Sequence, residues 1–201
     1  MKKYFYFLFS IIIKLILKIY GIKVGKNFYI EGIPKIKING KSDNIEIGNH
    51  ISIFGSIDLR NRENGKIIVE DNVKFDHNVR IVSARDGVIK IGENSIIGPH
   101  TIINGGGNVT IGRKVIFAKN ITINANDHIH KKFSNIIDQG FIYSNVIIED
   151  DVWLGANVCV NKGVSIKKGS VVGANAVVTK DTEPYSINVG VPSKKISERK
   201  D

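Results

Sequence analysis

The sequence predicts an all-β protein, a parallel β-helix of hexapeptide repeats, and two patterns indicate this fold class. Between Val24 and Val178, aliphatic or phenylalanine residues recur every six positions in separate series, five of three residues and a last one of six. A sustained period of six fits neither an α-helix nor a simple strand, and it is typical of parallel β-helices. The second pattern is asparagine or glycine three positions after many of these residues, where the chain must turn a corner. Three hexads make one triangular coil, so seven coils are expected.

The repeating residues are expected to point into a narrow aliphatic core, because residues one hexad apart occupy equivalent places on successive faces. They are Val24, Ile30, Ile36, Ile47, Ile53, Leu59, Val69, Phe75, Ile81, Ile91, Ile97, Ile103, Ile111, Phe117, Ile123, Ile148, Leu154, Val160, Ile166, Val172 and Val178. A second inward position is predicted four residues later, at Ile51, Val73, Ser95, Val115, Val152 and Ala176.

The corner positions are expected to have positive φ, which asparagine and glycine tolerate. They are Asn27, Asn72, Asn78, Asn94, Asn120, Asn157, Asn175, Gly163 and Gly169. His50 and His100 occupy the same corner position, and His77 is one residue earlier in its hexad. We therefore interpret these three histidines as corner residues.

Composition and charge narrow the function classes. The length of 201 residues fits one domain. The single cysteine, Cys159, cannot form an internal disulfide, which fits a cytoplasmic protein. The formal net charge is +10, and residues 1–40 contribute eight lysines against one acid. This basic block favours anionic lipid or a polyanionic substrate. No helix-turn-helix, zinc or RNP-type signature accompanies it, so nucleic acid is not an expected partner.

Residues 1–21 are expected to form a separate apolar helix. The uninterrupted apolar run from Tyr4 to Ile13 is shorter than the ~20 residues needed to cross a bilayer. Helical spacing would place Lys3, Ser10, Lys14 and Lys18 along one stripe. The helix is therefore expected either to lie in a membrane interface, through residues 1–20, or to pack against partner subunits.

The period is interrupted over residues 124–145, and His128 and His130 lie in this polar segment. An irregular loop of 22 residues is uncommon in a compact domain and is usually functional. These two histidines are the ones outside the repeat. The interruption is therefore the expected location of the chemistry.

At this point the chain resembles a known family. The strings "FAKNITINANDH" and "VWLGAN", followed by "VVTKD" and "GVP", are similar to those of hexapeptide-repeat acyltransferases of the maltose and galactoside O-acetyltransferase group. The resemblance covers roughly residues 91–196. It implies a left-handed β-helix over residues 22–184, a catalytic loop at 124–145 and a C-terminal tail at 185–201. It also implies acetyl-CoA as acyl donor, a sugar or surface polysaccharide as acceptor, and a homotrimer with active sites between subunits.

The resemblance further implies roles for individual residues. His128 matches the family's general base, a role that suits an imidazole because its pKa is near neutral. His130 is the alternative base, and the sequence does not separate the two. Asp127 or Asn126 is expected to orient the ring, although a backbone carbonyl is an equal candidate. Trp153 and Asn126 are the expected substrate contacts. Trp153 is at an outward-facing hexad position, so stacking on adenine and burial at a subunit interface are alternatives for it.

The same resemblance places the acyl donor. Gly155 or Ala156 is expected to supply a backbone N–H to the oxyanion. Ala156 and Ala174 match positions that line the pantetheine slot, and Thr179 and Lys180 match positions at the nucleotide end. Ser197 stands where the family often has a phosphate-binding arginine, so Lys194, Lys195 or Arg199 is expected to substitute.

Two other interpretations compete with this one. A γ-type carbonic anhydrase also uses a left-handed β-helix and binds zinc between subunits. It needs three histidines around one zinc ion, for which His100, His128 and His130 are the candidates. A non-catalytic scaffold at a membrane is the second. The acyltransferase interpretation predicts no metal and explains the C-terminal motifs, which the other two do not.

Overall fold

The computed structural model describes residues 2–200, with side chains from Tyr4 onward. An N-terminal helix, Lys2–Ile19, is followed by a left-handed parallel β-helix of about seven coils. Met1, Asp201 and the side chain of Lys3 lie outside the described part. Two short 3₁₀ turns, Ser42–Asn44 and Ile136–Asp138, complete the elements other than strands.

Three parallel sheets form the faces of the triangular solenoid. The first sheet contains Lys23–Val24, Ile45–Ile47, Lys66–Val69, Val88–Ile91, Val109–Ile111, Val146–Ile148 and Ser165–Ile166. The second contains Tyr29–Ile30, Ser52–Ile53, Lys74–Phe75, Ile96–Ile97, Ile116–Phe117, Trp153–Leu154, Val171–Val172, Ser186–Val189 and Lys194–Glu198. The third contains Lys35–Gly40, Ile57–Glu63, Val79–Ser83, Ile102–Asn104, Thr122–Asn124, Cys159–Val160 and Val177–Val178.

The stacking register confirms that the repeating residues occupy equivalent places on successive coils. In the second sheet, for example, Ile97 pairs with Phe117 and Phe117 with Leu154. All the repeating residues are buried except Ile36, which is partly buried near the open end of the solenoid. The predicted second inward position is also buried at each of its six residues. Each coil thus covers the strand edges of the next, and the interior is almost wholly aliphatic.

The corners also follow the prediction. All seven asparagines expected at corners have φ between 52° and 61°, and His50 and His100 have φ of 56° and 58°. The side-chain amide of Asn120 donates to Asn157 at 2.9 Å, and Asn157 donates to Asn175 at 2.9 Å. Successive corners are therefore joined by an amide ladder as well as by backbone hydrogen bonds.

The N-terminal helix closes the open end of the solenoid. Ile13 and Leu17 pack into the core, and the Ser10 hydroxyl accepts the backbone N–H of Ile30 at 2.8 Å. Ser10 also donates to the carbonyl of Tyr6 at 2.6 Å. The helix thus satisfies part of the unpaired edge of the first coil.

The predicted polar stripe of the helix does not face solvent along its whole length. Ser10 faces the solenoid and is buried, Lys14 is half-buried, and Lys18 remains exposed. The outward surface of the helix is apolar and includes Tyr4, Phe5, Phe7, Leu8, Ile11, Ile12, Leu15, Ile16 and Ile19. Among residues 2–200, no helix has the length and apolarity required to span a bilayer.

Residues 124–145 were expected to form an irregular loop. This expectation was wrong near both ends of the segment, where the chain forms strands. Asn124 still belongs to the third sheet, and Asn126–His128 pairs antiparallel with Phe141–Tyr143. Residues 126–143 therefore form a β-hairpin, which we call the excursion hairpin, and its tip contains the 3₁₀ turn Ile136–Asp138. It leaves the solenoid at the corner between the third and first sheets.

The C-terminal segment stacks on the last coil. Ser186–Val189 pairs parallel with Val171–Val172, and Lys194–Glu198 then folds back antiparallel on it. The second sheet thus continues beyond residue 184, which was the expected end of the solenoid. The division into residues 1–21, 22–184 and 185–201 stays a prediction.

Candidate active site

The excursion hairpin fixes the position of His128. Its strand pairs His128 with Phe141, and the two rings pack with their centroids 4.3 Å apart at an angle of 38°. The imidazole is exposed, and its ring nitrogens have no hydrogen-bond partner within residues 2–200. One ring face is therefore covered by Phe141, while both nitrogens remain accessible to a substrate.

Asp127 does not contact the His128 ring. Its carboxylate accepts the backbone N–H of His128 at 3.0 Å and the ammonium of Lys162 at 3.2 Å. The hydrogen bond from Lys162 lowers the pKa of the Asp127 carboxyl, so this group is an anion at neutral pH. Asp127 thus ties the hairpin strand to the neighbouring coil, and this structure gives no support to its expected role of orienting the imidazole.

His130 lies just beyond the paired strand. Its Nδ1 atom is 3.0 Å from the carbonyl oxygen of His128. A proton on Nδ1 would make this contact a hydrogen bond and leave Nε2 as the acceptor. A backbone carbonyl thus orients the ring of His130, whereas His128 has no such partner in the described chain.

The base of the hairpin is held by contacts that sequence reasoning did not identify. The Tyr143 ring lies against Gly106, where an added Cβ would be 2.6 Å from the ring, and the Arg85 guanidinium lies 4.7 Å from the ring centroid. Asn126 contributes a longer hydrogen bond, 3.4 Å from its amide to the carbonyl of Gly105. The run of three glycines from Gly105 was the available sequence signal for this close approach.

The residues expected to line the acyl-donor slot lie together at another corner, between the second and third sheets. Asn175 donates its backbone N–H to the Ala156 carbonyl at 2.8 Å, which stacks the Ala174 corner on the Ala156 corner. The Gly155 N–H is already bonded to the Val172 carbonyl at 2.8 Å. The Ala156 N–H has no acceptor within residues 2–200. Of the two expected oxyanion donors, Ala156 is the one with an unengaged N–H.

The expected nucleotide-end residues follow on the next coil. Thr179 and Lys180 are exposed immediately after the strand Val177–Val178. Lys180 and Lys194 make no ion pair within residues 2–200, so both remain able to bind phosphate.

The other two candidate cations are already occupied. Lys195 is bound to Glu183 and Glu198, and its hydrogen bond with Glu183 raises the pKa of the ammonium. The Arg199 guanidinium donates to Asp151 at 2.7 Å and to the carbonyl of Gly169 at 3.1 Å. Of the three expected substitutes for the arginine replaced by Ser197, Lys194 is the one whose side chain makes no ion pair within residues 2–200.

Trp153 projects from the outer surface of the second sheet, as expected, and 52% of it is exposed. It stacks in register between Ile116 and Val171, and Ile96 continues the column below Ile116. Ile96 and Ile116 are also exposed. We call these four residues the apolar ridge.

The structure does not bring all predicted residues together. His128 and His130 extend from the corner between the third and first sheets, whereas Ala156 and Ala174 lie at the corner between the second and third sheets. Within residues 2–200, no group of three or more histidine, cysteine or acidic side chains is placed to hold a metal ion.

Comparison with known proteins matches the chain to a hexapeptide-repeat family and to an O-acetyltransferase. The family described as hexapeptide repeat of succinyl-transferase matches residues 145–180. The chain is 31% identical over 192 residues to the galactoside O-acetyltransferase of Escherichia coli strain K12, covering 90% of this chain and 88% of that protein.

Two solved structures extend the comparison. A variant of the N-acyltransferase AntD from Bacillus cereus, in complex with dTDP-4-amino-4,6-dideoxyglucose and coenzyme A, aligns with a TM-score of 0.65 at 24% identity, covering 94% of this chain and 90% of that one. At this identity the likeness concerns the fold alone. The polySia specific acetyltransferase NeuO aligns with a TM-score of 0.52 at 26% identity, covering 88% and 85% of the two chains.

Proposed function

Because this chain belongs to the hexapeptide-repeat acyltransferases, a family it shares with galactoside O-acetyltransferase, we propose that it transfers acetyl from acetyl-CoA to a hydroxyl of a sugar or nascent surface polysaccharide. The observation that carries this proposal is the near full-length similarity to an O-acetyltransferase. The histidine-bearing hairpin beside a regular stack of coils agrees with it.

In the proposed mechanism His128 is the general base. Its imidazole removes the proton from the acceptor hydroxyl while the oxygen attacks the thioester carbonyl carbon. The tetrahedral oxyanion receives a hydrogen bond from the Ala156 N–H. Collapse breaks the carbon–sulfur bond, and the imidazolium protonates the departing thiolate, which yields the acetyl ester and coenzyme A. Trp153 and Asn126 are proposed as acceptor contacts.

We propose that the active enzyme is a homotrimer. The hairpin and the Ala156 corner lie at different corners of one chain, so a cyclic arrangement would place the hairpin of one subunit against the slot of the next. The apolar ridge supports this assembly, because a continuous apolar column on a solvated sheet is typical of an interface. Lys180 and Lys194 would bind the phosphates of the donor nucleotide.

The N-terminal helix supports a peripheral location at the inner face of the cell membrane. Its outward surface is apolar, and the eight lysines within residues 1–40 provide charge complementary to anionic lipid. This location would keep the enzyme near a lipid-linked acceptor. It would place the helix flat on the bilayer, with its buried side still covering the first coil.

Substitution of the outward helix surface tests the membrane contact better than deletion of residues 1–20, since deletion would also uncover the core. The variant Leu8→Asp with Ile12→Asp and Ile19→Asp should lose co-sedimentation with phosphatidylglycerol vesicles and keep activity on a soluble sugar. Retained vesicle binding would exclude this surface, and dissociation into monomers would identify it as an assembly surface.

A thiol-release assay with acetyl-CoA tests the catalytic proposal. Neutral sugars, acidic sugars, amino sugars and purified surface glycans serve as acceptors, and mass spectrometry locates the acetyl group. We expect acceptor-dependent thiol release with an O-acetyl ester as product. Acetylation confined to amino groups, or no stimulation by any glycan, would contradict the proposal.

A further inference from the structure

A cavity of about 350 Å³, with an aliphatic floor and charged and polar side chains around it, opens on the third sheet, below the coil of Ala156. Its lining includes Lys35, Asn78, Arg80 and His100. We infer that this cavity binds the carboxylate of an acidic sugar residue in the acceptor. The inference rests on the proposed function and specifies its substrate class.

The charge of the cavity favours an anion. Its one carboxylate, Asp58, is held by two nitrogens of Arg60 at 2.7 and 2.6 Å. The hydrogen bond from Arg60 lowers the pKa of Asp58, so this pair is fully ionised and internally neutral. Lys35 makes no ion pair within residues 2–200. Arg80 and Lys35 also lie near Asp58 and lower its pKa further, so three cations face one carboxylate and the net charge around the cavity is positive.

The unengaged polar atoms of the cavity are hydrogen-bond donors. Arg80 Nε is buried and has no partner within residues 2–200. The Asn78 carbonyl oxygen accepts the Ser56 hydroxyl at 2.8 Å, which leaves the Asn78 amide N–H groups to donate. A buried donor without a partner is unfavourable, and rotation of the Arg80 guanidinium toward a ligand that only accepts hydrogen bonds would satisfy it. A carboxylate has this property.

The rim provides a further polar group. His100 lies at the cavity edge, with its ring edge-on to that of His77 at a centroid distance of 4.8 Å. His77 is itself fixed by a contact of 2.8 Å between its Nδ1 and the Asp76 carboxylate. His100 is thus positioned by packing, and its ring nitrogens make no hydrogen bond within residues 2–200. They are available to a sugar hydroxyl or ring oxygen.

The cavity lies on the same corner as the proposed donor slot. His100, Asn120 and Asn157 occupy equivalent corner positions of successive coils, and Asn157 adjoins Ala156. Two coil spacings of about 4.8 Å place His100 about 10 Å from the level of Ala156. A volume of about 350 Å³ is at the small end of ligand sites. The cavity therefore suits one acidic sugar residue. The hydroxyl that attacks the thioester would belong to this residue or to the next residue of the glycan.

The test compares acceptors that differ only in a carboxylate, namely matched oligosaccharides ending in galactose or galacturonic acid. The wild type should have the lower KM for the acidic acceptor. Arg80→Gln should raise that KM at least about tenfold, as expected for loss of a charge-assisted hydrogen bond, and raise the KM for the neutral acceptor by a much smaller factor. Arg62→Gln, which removes an exposed arginine outside the cavity, is the matched control. Lys35→Gln, at an exposed position, is a second test variant if Arg80→Gln fails to fold.

A binding measurement separates failure of this inference from failure of the proposed function. Calorimetric titration of galacturonate into the wild-type protein should show saturable binding that Arg80→Gln or Lys35→Gln weakens, whether or not any acceptor is acetylated. Absent binding, or equal effects on both acceptors, would overturn the inference. Inorganic phosphate that binds more tightly than galacturonate would also overturn it, in favour of a phosphate-bearing ligand.

Discussion

At the residue scale, the two loop histidines have different surroundings. His128 has free ring nitrogens and an aromatic support in Phe141, whereas His130 has one nitrogen beside a carbonyl. The sequence predicted both as candidates, since both interrupt the repeat. It could not predict the bond between Asp127 and Lys162, because these residues are 35 positions apart and meet only through coil stacking.

The assignment of the base predicts different effects of two substitutions. His128→Ala should reduce acetyl transfer by about 10² to 10⁴, the usual contribution of a general base, with no change in assembly. If His128 is the base, the ring of His130 takes no part in the proton transfer, so His130→Ala should have a much smaller effect. Steady-state thiol release and size-exclusion chromatography measure both. A large loss confined to His130→Ala would reassign the base.

At the element scale, the solenoid is the part that the sequence predicted best. Each hexad needs one side chain that fills the interior and one residue at which the chain turns the corner. Both requirements therefore recur in the sequence with a period of six. Corners with positive φ at Glu63 and Lys114 were not predicted, because stacking imposes that backbone on residues with no such preference. The hairpin was missed since its strands bury little apolar surface.

The amide ladder along the corners predicts that glycine at position 157 destabilises the protein less than alanine does. Asn157→Ala removes the hydrogen bonds to both neighbouring asparagines and places alanine at a φ of 61°, which together should cost about 2 to 3 kcal/mol. Asn157→Gly loses the same bonds but tolerates this φ, so it should be the less destabilised variant. Urea unfolding of the two assembled variants gives the comparison. Equal midpoints would show that backbone strain does not contribute.

At the scale of the whole molecule, the N-terminal helix and the two functional corners have separate roles. The helix was predicted from its apolar run, but the direction of its polar stripe depends on the bond between Ser10 and Ile30, which no local pattern encodes. The separation of His128 from Ala156 likewise arises only when coils stack into a triangle. Under the proposed mechanism, a chain with one regular repeat would present half of a site at each of two corners, and assembly would unite them.

This arrangement predicts that activity depends on the apolar ridge. Ile116→Asp would bury a carboxylate between subunits at a cost of several kcal/mol, so it should yield monomers. Thr110→Asp adds the same charge to the same coil, but on the first sheet, where Thr110 is exposed, and should leave the trimer intact. Sedimentation velocity gives the assembly state, and thiol release gives the activity. If site completion requires a neighbour, the Ile116→Asp monomer should be as inactive as His128→Ala while it remains folded by circular dichroism. A fully active monomer would show that one chain contains a complete site, and the hairpin would then have to bend toward its own Ala156 corner.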